Sequence, residues 1–254
     1  MESNPPYKVL GFMSIHYGLC YLKESLGSIK DHVDEMVVSY SKLPSHGYRG
    51  DEICPDAEDD IYRICAEVLG DKLIWDRAES YPNEATHRDV KYKYSKGYSC
   101  CITIDADEIY ATEEVASAID LFMKTGDRHG GVSGYINFWR RFDFMNRDGF
   151  RPVRFTNLEA DNQRQFLDVP LTVYHFSTCQ DIKIMLYKNK IFGHASEIRP
   201  NWFEEVYLAW NPETNLPKQL HPVSMQVWGS CESYDKFSLP ECLRNHLNFN
   251  LDMK

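Results

Sequence analysis

The segment Asp105-Ala106-Asp107-Glu108 concentrates carboxylates directly behind a hydrophobic run, SCCIT, at 99–103. In an extended chain, residues i and i+2 point to the same side. Asp105 and Asp107 are therefore expected to converge on one volume, their backbones roughly 7 Å apart. Two anions so placed repel unless a cation lies between them. Hard divalent ions such as Mn²⁺ or Mg²⁺ take one or two carboxylates and complete their shells with phosphate oxygens and water. Glu108 points the other way in a straight strand, and is expected to act as an acceptor behind the metal ligands or to reach the reacting group after a turn. The bland account is a solvated acidic turn ahead of a helix that begins near Thr112.

Such a turn needs a scaffold. Residues 8–16 (KVLGFMSIH) read as a buried strand, followed by Leu19, Leu22, Leu26 and Ile29 at helical spacing. Residues 33–41 form a second strand. Asp56 is placed to cap a helix carrying Ile61, Ile64, Cys65, Val68 and Leu69. Residues 72–75 are a short third strand, a helix runs from Asn83 through Lys96 to a stop at Gly97, and 99–105 is the fourth strand. Val115, Ile119 and Phe122 mark the next helix. Strand–helix alternation of this kind predicts a parallel sheet with right-handed crossovers. The second half reads as strands at 131–140, 151–156 and 171–176 without helices between them, hence mixed or antiparallel additions. Helices are expected near 180–190 and 201–210, and an irregular tail after Asn211. In an open sheet of this type ligands bind beyond the carboxyl ends of the strands, where Asp105 and Asp107 lie.

The formal charge of −10 over 254 residues does not suit unaided binding to polyanions, and suits a cation-binding pocket. No apolar run is long enough to span a membrane, and the first eight residues carry no secretory leader pattern. The eight cysteines form no CxxC pair. They read as reduced thiols packed as small hydrophobes, which implies a cytoplasmic protein.

On these residues the chain resembles the GT-A fold glycosyltransferases, specifically family 2-like enzymes. KVLGFMSIH, the helix after it, VDEMVVSYS and ITIDADE follow that family's order, and the likeness extends from residue 8 to about 200. The resemblance implies an α/β, Rossmann-like mixed sheet flanked by helices. It also implies a nucleotide-sugar donor, Mn²⁺ or Mg²⁺, and an acceptor hydroxyl. Residues 1–110 would form the donor half and 111–254 the acceptor half of one domain. The family's DXD motif maps onto Asp105 and Asp107 as metal ligands, Asp105 alternatively as a contact to the donor's ribose, with Asp107 and Glu108 as the catalytic carboxylates. Arg88 matches an arginine that lies near the diphosphate, and His175 matches a histidine that completes the metal shell, with His194 as its competitor. The chain departs from the family after the second strand. Tyr40 and Ser41 stand where an acidic residue commonly holds the nucleoside. The family's Glu-Asp pair in the acceptor half is also missing. Asp181, Glu197 and Asp143 are candidate bases, none preferred.

Other residues carry weaker signals. Ser14 and His16 end the first strand, where a nucleotide would sit; a structural histidine is an equal reading of His16. Lys188 and Lys190 could neutralise phosphate, although a solvated helix end explains both, and Lys190 is kept among the donor contacts. Trp202, Phe203, Val206 and Trp210 have helical spacing and read as a core face. Residues 137–164 mix Arg140, Arg141, Arg147, Arg151, Arg154 and Arg164 with aromatics. Surface pairing of those arginines is the plain account. The sharper one is an acceptor that bears phosphate, nucleic acid included, as for bacteriophage glycosyltransferases acting on hydroxymethylated bases. Alternatives of another class are a metal-dependent phosphohydrolase or nucleotidyltransferase, and a non-catalytic nucleotide-binding module.

Overall fold

A computed structural model describes residues 7–44, 53–147, 149–160, 166–191, 197–213, 219–223 and 231–250. The first strands are those the apolar runs mark: β1 (Val9–Ile15), β2 (Glu35–Ser41), β3 (Leu73–Ala78) and β4 (Cys100–Thr103). β1 pairs in parallel with β2 and with β4, and β2 with β3. β1, β2 and β4 are almost wholly buried, as expected of parallel strands covered on both faces. Helix α1 (Leu19–Ile29) buries Leu22, Leu26 and Ile29, and α2 (Glu58–Leu69) buries Ile61, Cys65 and Leu69. Asp56 does not cap α2. Its Oδ2 accepts the N–H groups of Gly18 and Leu19 at 2.7 and 3.0 Å, and so caps the start of α1.

The helix expected over 83–96 is two short pieces, α3 (Glu84–Arg88) and α4 (Lys91–Tyr94). Asn83 caps the first, accepting from Thr86 N at 2.8 Å. A tertiary contact outranks the local pattern here. His87 is buried, stacks on Tyr81 and bonds the Ser39 carbonyl at 2.8 Å.

The second half extends the same sheet, as the sequence suggests, with more strands than it marks. They are β5 (Glu108–Tyr110), β6 (His129–Trp139), β7 (Arg141–Asn146), β8 (Val153–Asn157), β9 (Phe166–His175) and β10 (Glu232–Ser233). Helix α5 (Thr112–Thr125) precedes β6, burying Val115, Ala118, Ile119 and Phe122 and ending at left-handed Gly126. The strand order is β3-β2-β1-β4-β8-β6-β7-β10, with β9 beside β6 and β5 beside β9. β8 is antiparallel to β4 and β6, while β9 runs parallel to β6. The expected GT-A-type architecture, a mixed α/β sheet flanked by helices, is therefore the one found, and one sheet runs through both halves of the chain.

After β9 come α6 (Ile182–Ile191), a wide π-type turn over Phe203–Leu208, and α7 (Glu241–Arg244). Trp202, Phe203 and Tyr207 pack with Trp139 in a separate apolar cluster, so the aromatic face at 202–210 is core. No helix among the described residues is long and apolar enough to cross a membrane.

Candidate active site

β1 sends its crossover to β2 on one side and borders β4 on the other, and the crevice of an open sheet forms at such a reversal. A cleft of about 420 Å³ lies there. Its wall includes Ser14, His16 and Gly18 from the end of β1, Arg88 from α3, and Asp105, Ala106 and Asp107 from the turn after β4.

That turn corrects the expected convergence of carboxylates. β4 stops at Thr103, and Glu108 N donates to the Asp105 carbonyl at 3.0 Å, so 105–108 is a tight turn and not extended chain. Both aspartates line the cleft, but they have different partners. Asp105 meets two guanidiniums, Arg154 Nη2 at 2.7 Å and Arg88 Nη2 at 3.2 Å. Burial alone would raise its carboxyl, but Arg154 and then Arg88 outweigh burial and hold it well below the ordinary range. The charge of Asp105 is thus already met by two arginines of the protein.

Glu108 is wholly buried. Its carboxylate accepts from Arg154 Nε at 2.8 Å, from Arg154 Nη2, from the Tyr135 hydroxyl at 2.7 Å and from the Asp105 amide at 3.2 Å. No oxygen is left to meet a substrate, so the catalytic role expected of Glu108 becomes a positioning role: it fixes Arg154, which fixes Asp105.

Asp107 has other neighbours. β5 pairs antiparallel with β9, setting Glu108 opposite His175, and Phe176 N donates to the Asp107 carbonyl at 2.8 Å. β9 pairs in parallel with β6, setting His175 beside Asn137. These two ladders bring His175 Nε2 to 3.7 Å from Asp107 Oδ1, and His175 Nδ1 to 2.7 Å from Asn137 Oδ1. An amide oxygen only accepts, so Nδ1 carries the proton and Nε2 presents its lone pair toward Asp107. Burial lowers the imidazole's pKa, outweighing the pull of the Asp107 charge, and favours the neutral ring. Two acceptors thus face each other across 3.7 Å. Ligand atoms sharing one divalent cation at about 2.1 Å lie roughly 3 to 4 Å apart, so this pair fits a cation. The Nδ1–H to carbonyl-oxygen bond behind it is the usual way of orienting a ligating histidine. Among the described residues no third His, Cys, Asp or Glu joins them. His194 lies outside the described residues. Lys188, from α6, stands 3.5 Å from Asp107 Oδ2 and donates to Ser177 O and Oγ at 3.2 and 2.6 Å.

The remaining expected contacts divide. Ser14 and Arg88 line the cleft. His16 lines it too, but Nδ1 is held by the Ser41 carbonyl at 2.7 Å and Nε2 by the Tyr187 hydroxyl at 2.6 Å. Tyr40 stacks on Trp75 and Ser41 Oγ donates to the Leu43 carbonyl, and neither is in the cleft wall. Lys190 is exposed and outside that wall, Lys188 taking the place expected of it. Asp181 caps the start of α6 through Lys183 N, Asp143 pairs with Arg141, and Glu197 is exposed; none lines the cleft.

Of the arginines in this stretch, Arg147 and Arg151 are exposed, and four are engaged by other groups of the protein. Arg140 is buried and donates to the Tyr207 carbonyl at 2.7 Å. Arg141 is bidentate on Asp143, Arg151 pairs with Asp168, and Arg154 is the buried partner of Asp105 and Glu108. Arg164 lies outside the described residues. Of the aromatics, Phe138, Trp139, Phe142 and Phe155 are core, while Phe150 is 59% exposed at the cleft rim, edge-on to Tyr135.

Four further residues shape the site: Lys188, expected only as a solvated helix end that could neutralise phosphate, Arg154, expected only as one of six arginines in 137–164, and Asn137 and Tyr135, which the sequence does not mark. Arg154 is hidden among its neighbours and Lys188 reads as a helix end. Only the β5–β9 and β6–β9 registers single out Asn137 and Tyr135.

No known family profile matches the chain, and no curated protein matches it. Solved structures do. S. aureus TarS 1-349 is similar at 17% identity over 50% of this chain and 35% of that one, with a TM-score of 0.37. Glucosyl-3-phosphoglycerate synthase from Mycobacterium tuberculosis, in complex with Mg²⁺ and uridine-diphosphate, is similar at 12% identity over 51% of this chain and 44% of that one, with a TM-score of 0.37. The chain spans less than half the length of either.

Proposed function

We propose that the chain is a nucleotide-sugar glycosyltransferase whose divalent cation is held by Asp107 and His175. The observation that carries this reading is the pair of acceptors facing each other across 3.7 Å in a cleft at the carboxyl ends of β1 and β4. A cation held by two protein atoms needs further oxygens, and a diphosphate supplies them. Imidazole in the shell favours Mn²⁺ over Mg²⁺. When bound, the cation offsets charge developing on the leaving nucleoside diphosphate.

The chain's own residues do the rest. Arg88, held by Glu84 and Asp105, presents a guanidinium at the cleft wall for bidentate phosphate contact. Asp105 and Glu108 keep the two arginines in place. The first 110 residues supply the donor wall, and the second half supplies His175, Lys188 and the rim aromatic Phe150 against an acceptor. With Arg140 and Arg154 buried and Arg141 and Arg151 paired with Asp143 and Asp168, a glycan or small-molecule acceptor is favoured over nucleic acid. The absence of any CxxC spacing among the eight cysteines is in keeping with a cytoplasmic setting.

The test is release of free sugar and nucleoside diphosphate from a panel of nucleotide-sugars, with Mn²⁺ and with chelator. Activity that requires the metal and vanishes in Asp107→Asn, with the fold intact by circular dichroism, is expected. Metal-independent turnover, or full activity in that variant, overturns the proposal.

A further inference from the structure

Asp107 has two carboxylate oxygens, and each has a different neighbour. Oδ1 faces the lone pair of His175, while Oδ2 faces the ammonium of Lys188 at 3.5 Å. Lys188 is not a free surface lysine. Its side chain is 18% exposed, and Nζ also donates to the Ser177 carbonyl and hydroxyl. Two of its three N–H groups are thus committed to a fixed anchor, and the ammonium stands beside the carboxylate that the proposed cation needs.

We propose that Lys188 is a built-in counter-cation of Asp107 that makes cation and diphosphate binding interdependent. The inference rests on the reading of Asp107 and His175 as the cation site. Before substrate binds, the ammonium offsets the Asp107 charge and repels an arriving divalent ion, so the bare cation binds weakly. A diphosphate gives the ammonium an anionic partner of its own within the same cleft, and Asp107 is released to the cation. Each ligand thereby strengthens the other, and linkage makes the effect reciprocal. The arrangement keeps Asp107 charge-balanced when empty, through a residue from the second half of the chain.

Calorimetry with Mn²⁺ alone, UDP alone, and Mn²⁺ in saturating UDP tests this on the full chain, comparing wild type with Lys188→Met. In the variant, Mn²⁺ alone is expected to bind about tenfold tighter, within the usual range of such couplings. UDP without metal is expected to bind more weakly. A lysine with a merely structural role would leave Mn²⁺ binding unchanged or weakened. Lys188→Gln removes the charge while keeping donors for Ser177, and gives the same answer if the Met variant unfolds. If wild type and variant bind Mn²⁺ with UDP but the variant binds bare Mn²⁺ no tighter, the counter-cation role fails and the site stands. If wild type binds no Mn²⁺ even with UDP, or Asp107→Asn binds it as well as wild type, the cation site itself fails and takes the inference with it.

Discussion

His175 Nε2 stands 3.7 Å from Asp107 Oδ1, and both residues are placed there by strand pairing. The short β5–β9 ladder ends at the bond from Phe176 N to the Asp107 carbonyl, which ties the two backbones together one residue from the contact. The pair is therefore as rigid as the sheet edge that carries it.

Asn137 orients that imidazole through the 2.7 Å bond to Nδ1. Replacing it with alanine is expected to weaken Mn²⁺ binding in the presence of UDP by about 10- to 100-fold, the usual cost of losing the group behind a ligating histidine. Calorimetry at fixed UDP reads this directly. Unchanged affinity would mean that the ring is positioned by packing against Tyr135 alone.

Arg154 is the buried link between Asp105 and Glu108. Arg154→Met leaves the fully buried Glu108 carboxylate without a countercharge and Asp105 with Arg88 alone, and should cost about 3 to 5 kcal/mol of unfolding free energy in urea. Adding Glu108→Leu should recover part of the loss, because an uncompensated buried charge is then removed. A single variant within about 1 kcal/mol of wild type would contradict the burial of this network.

Arg88 helps hold the Asp105 carboxyl below its ordinary value, and this gives an acid signature. A carboxyl depressed in the folded state stabilises the fold fully above its unfolded value, about 3.9. That contribution is lost as pH falls from there through the folded value. Arg88→Ala lifts the folded value, so the wild-type advantage should be constant above about pH 5 and shrink below about pH 4. Urea melts across that range measure it; an advantage that grows on acidification has the wrong sign.

Gly18 precedes α1 with φ +135°, and an added Cβ would lie 2.7 Å from the Ala106 Cβ. Gly18→Ala is therefore strained in its backbone and also pushes on the residue between Asp105 and Asp107. A loss of about 1 kcal/mol or more is expected, together with weaker Mn²⁺–UDP binding. Combining it with Ala106→Gly should relieve the contact and restore part of the binding, while the backbone strain remains. Full binding in the single variant would show that the 105–108 turn does not lean on Gly18.

The sequence by itself determined the local elements and their order. The run VLGFMSI is mostly apolar on both faces, which is what a covered parallel strand requires, and the helical spacing of Val115, Ile119 and Phe122 fixes the buried face of α5. It also put Asp107 at the carboxyl end of β4 and singled out Arg88 and His175. Three things it left to the tertiary structure. Whether 105–108 is strand or turn depends on β5 leaving β4 to pair with β9, a choice made by β9 and not by the turn's own residues. Which carboxylates are available depends on Arg154, distant in sequence and indistinguishable there from its arginine neighbours until burial selects it. That Lys188 and not Lys190 reaches Asp107 depends on how α6 is rotated against the sheet, because residues two apart on a helix point to different sides. Periodicity reports which face is buried; only packing decides which polar side chains meet across it.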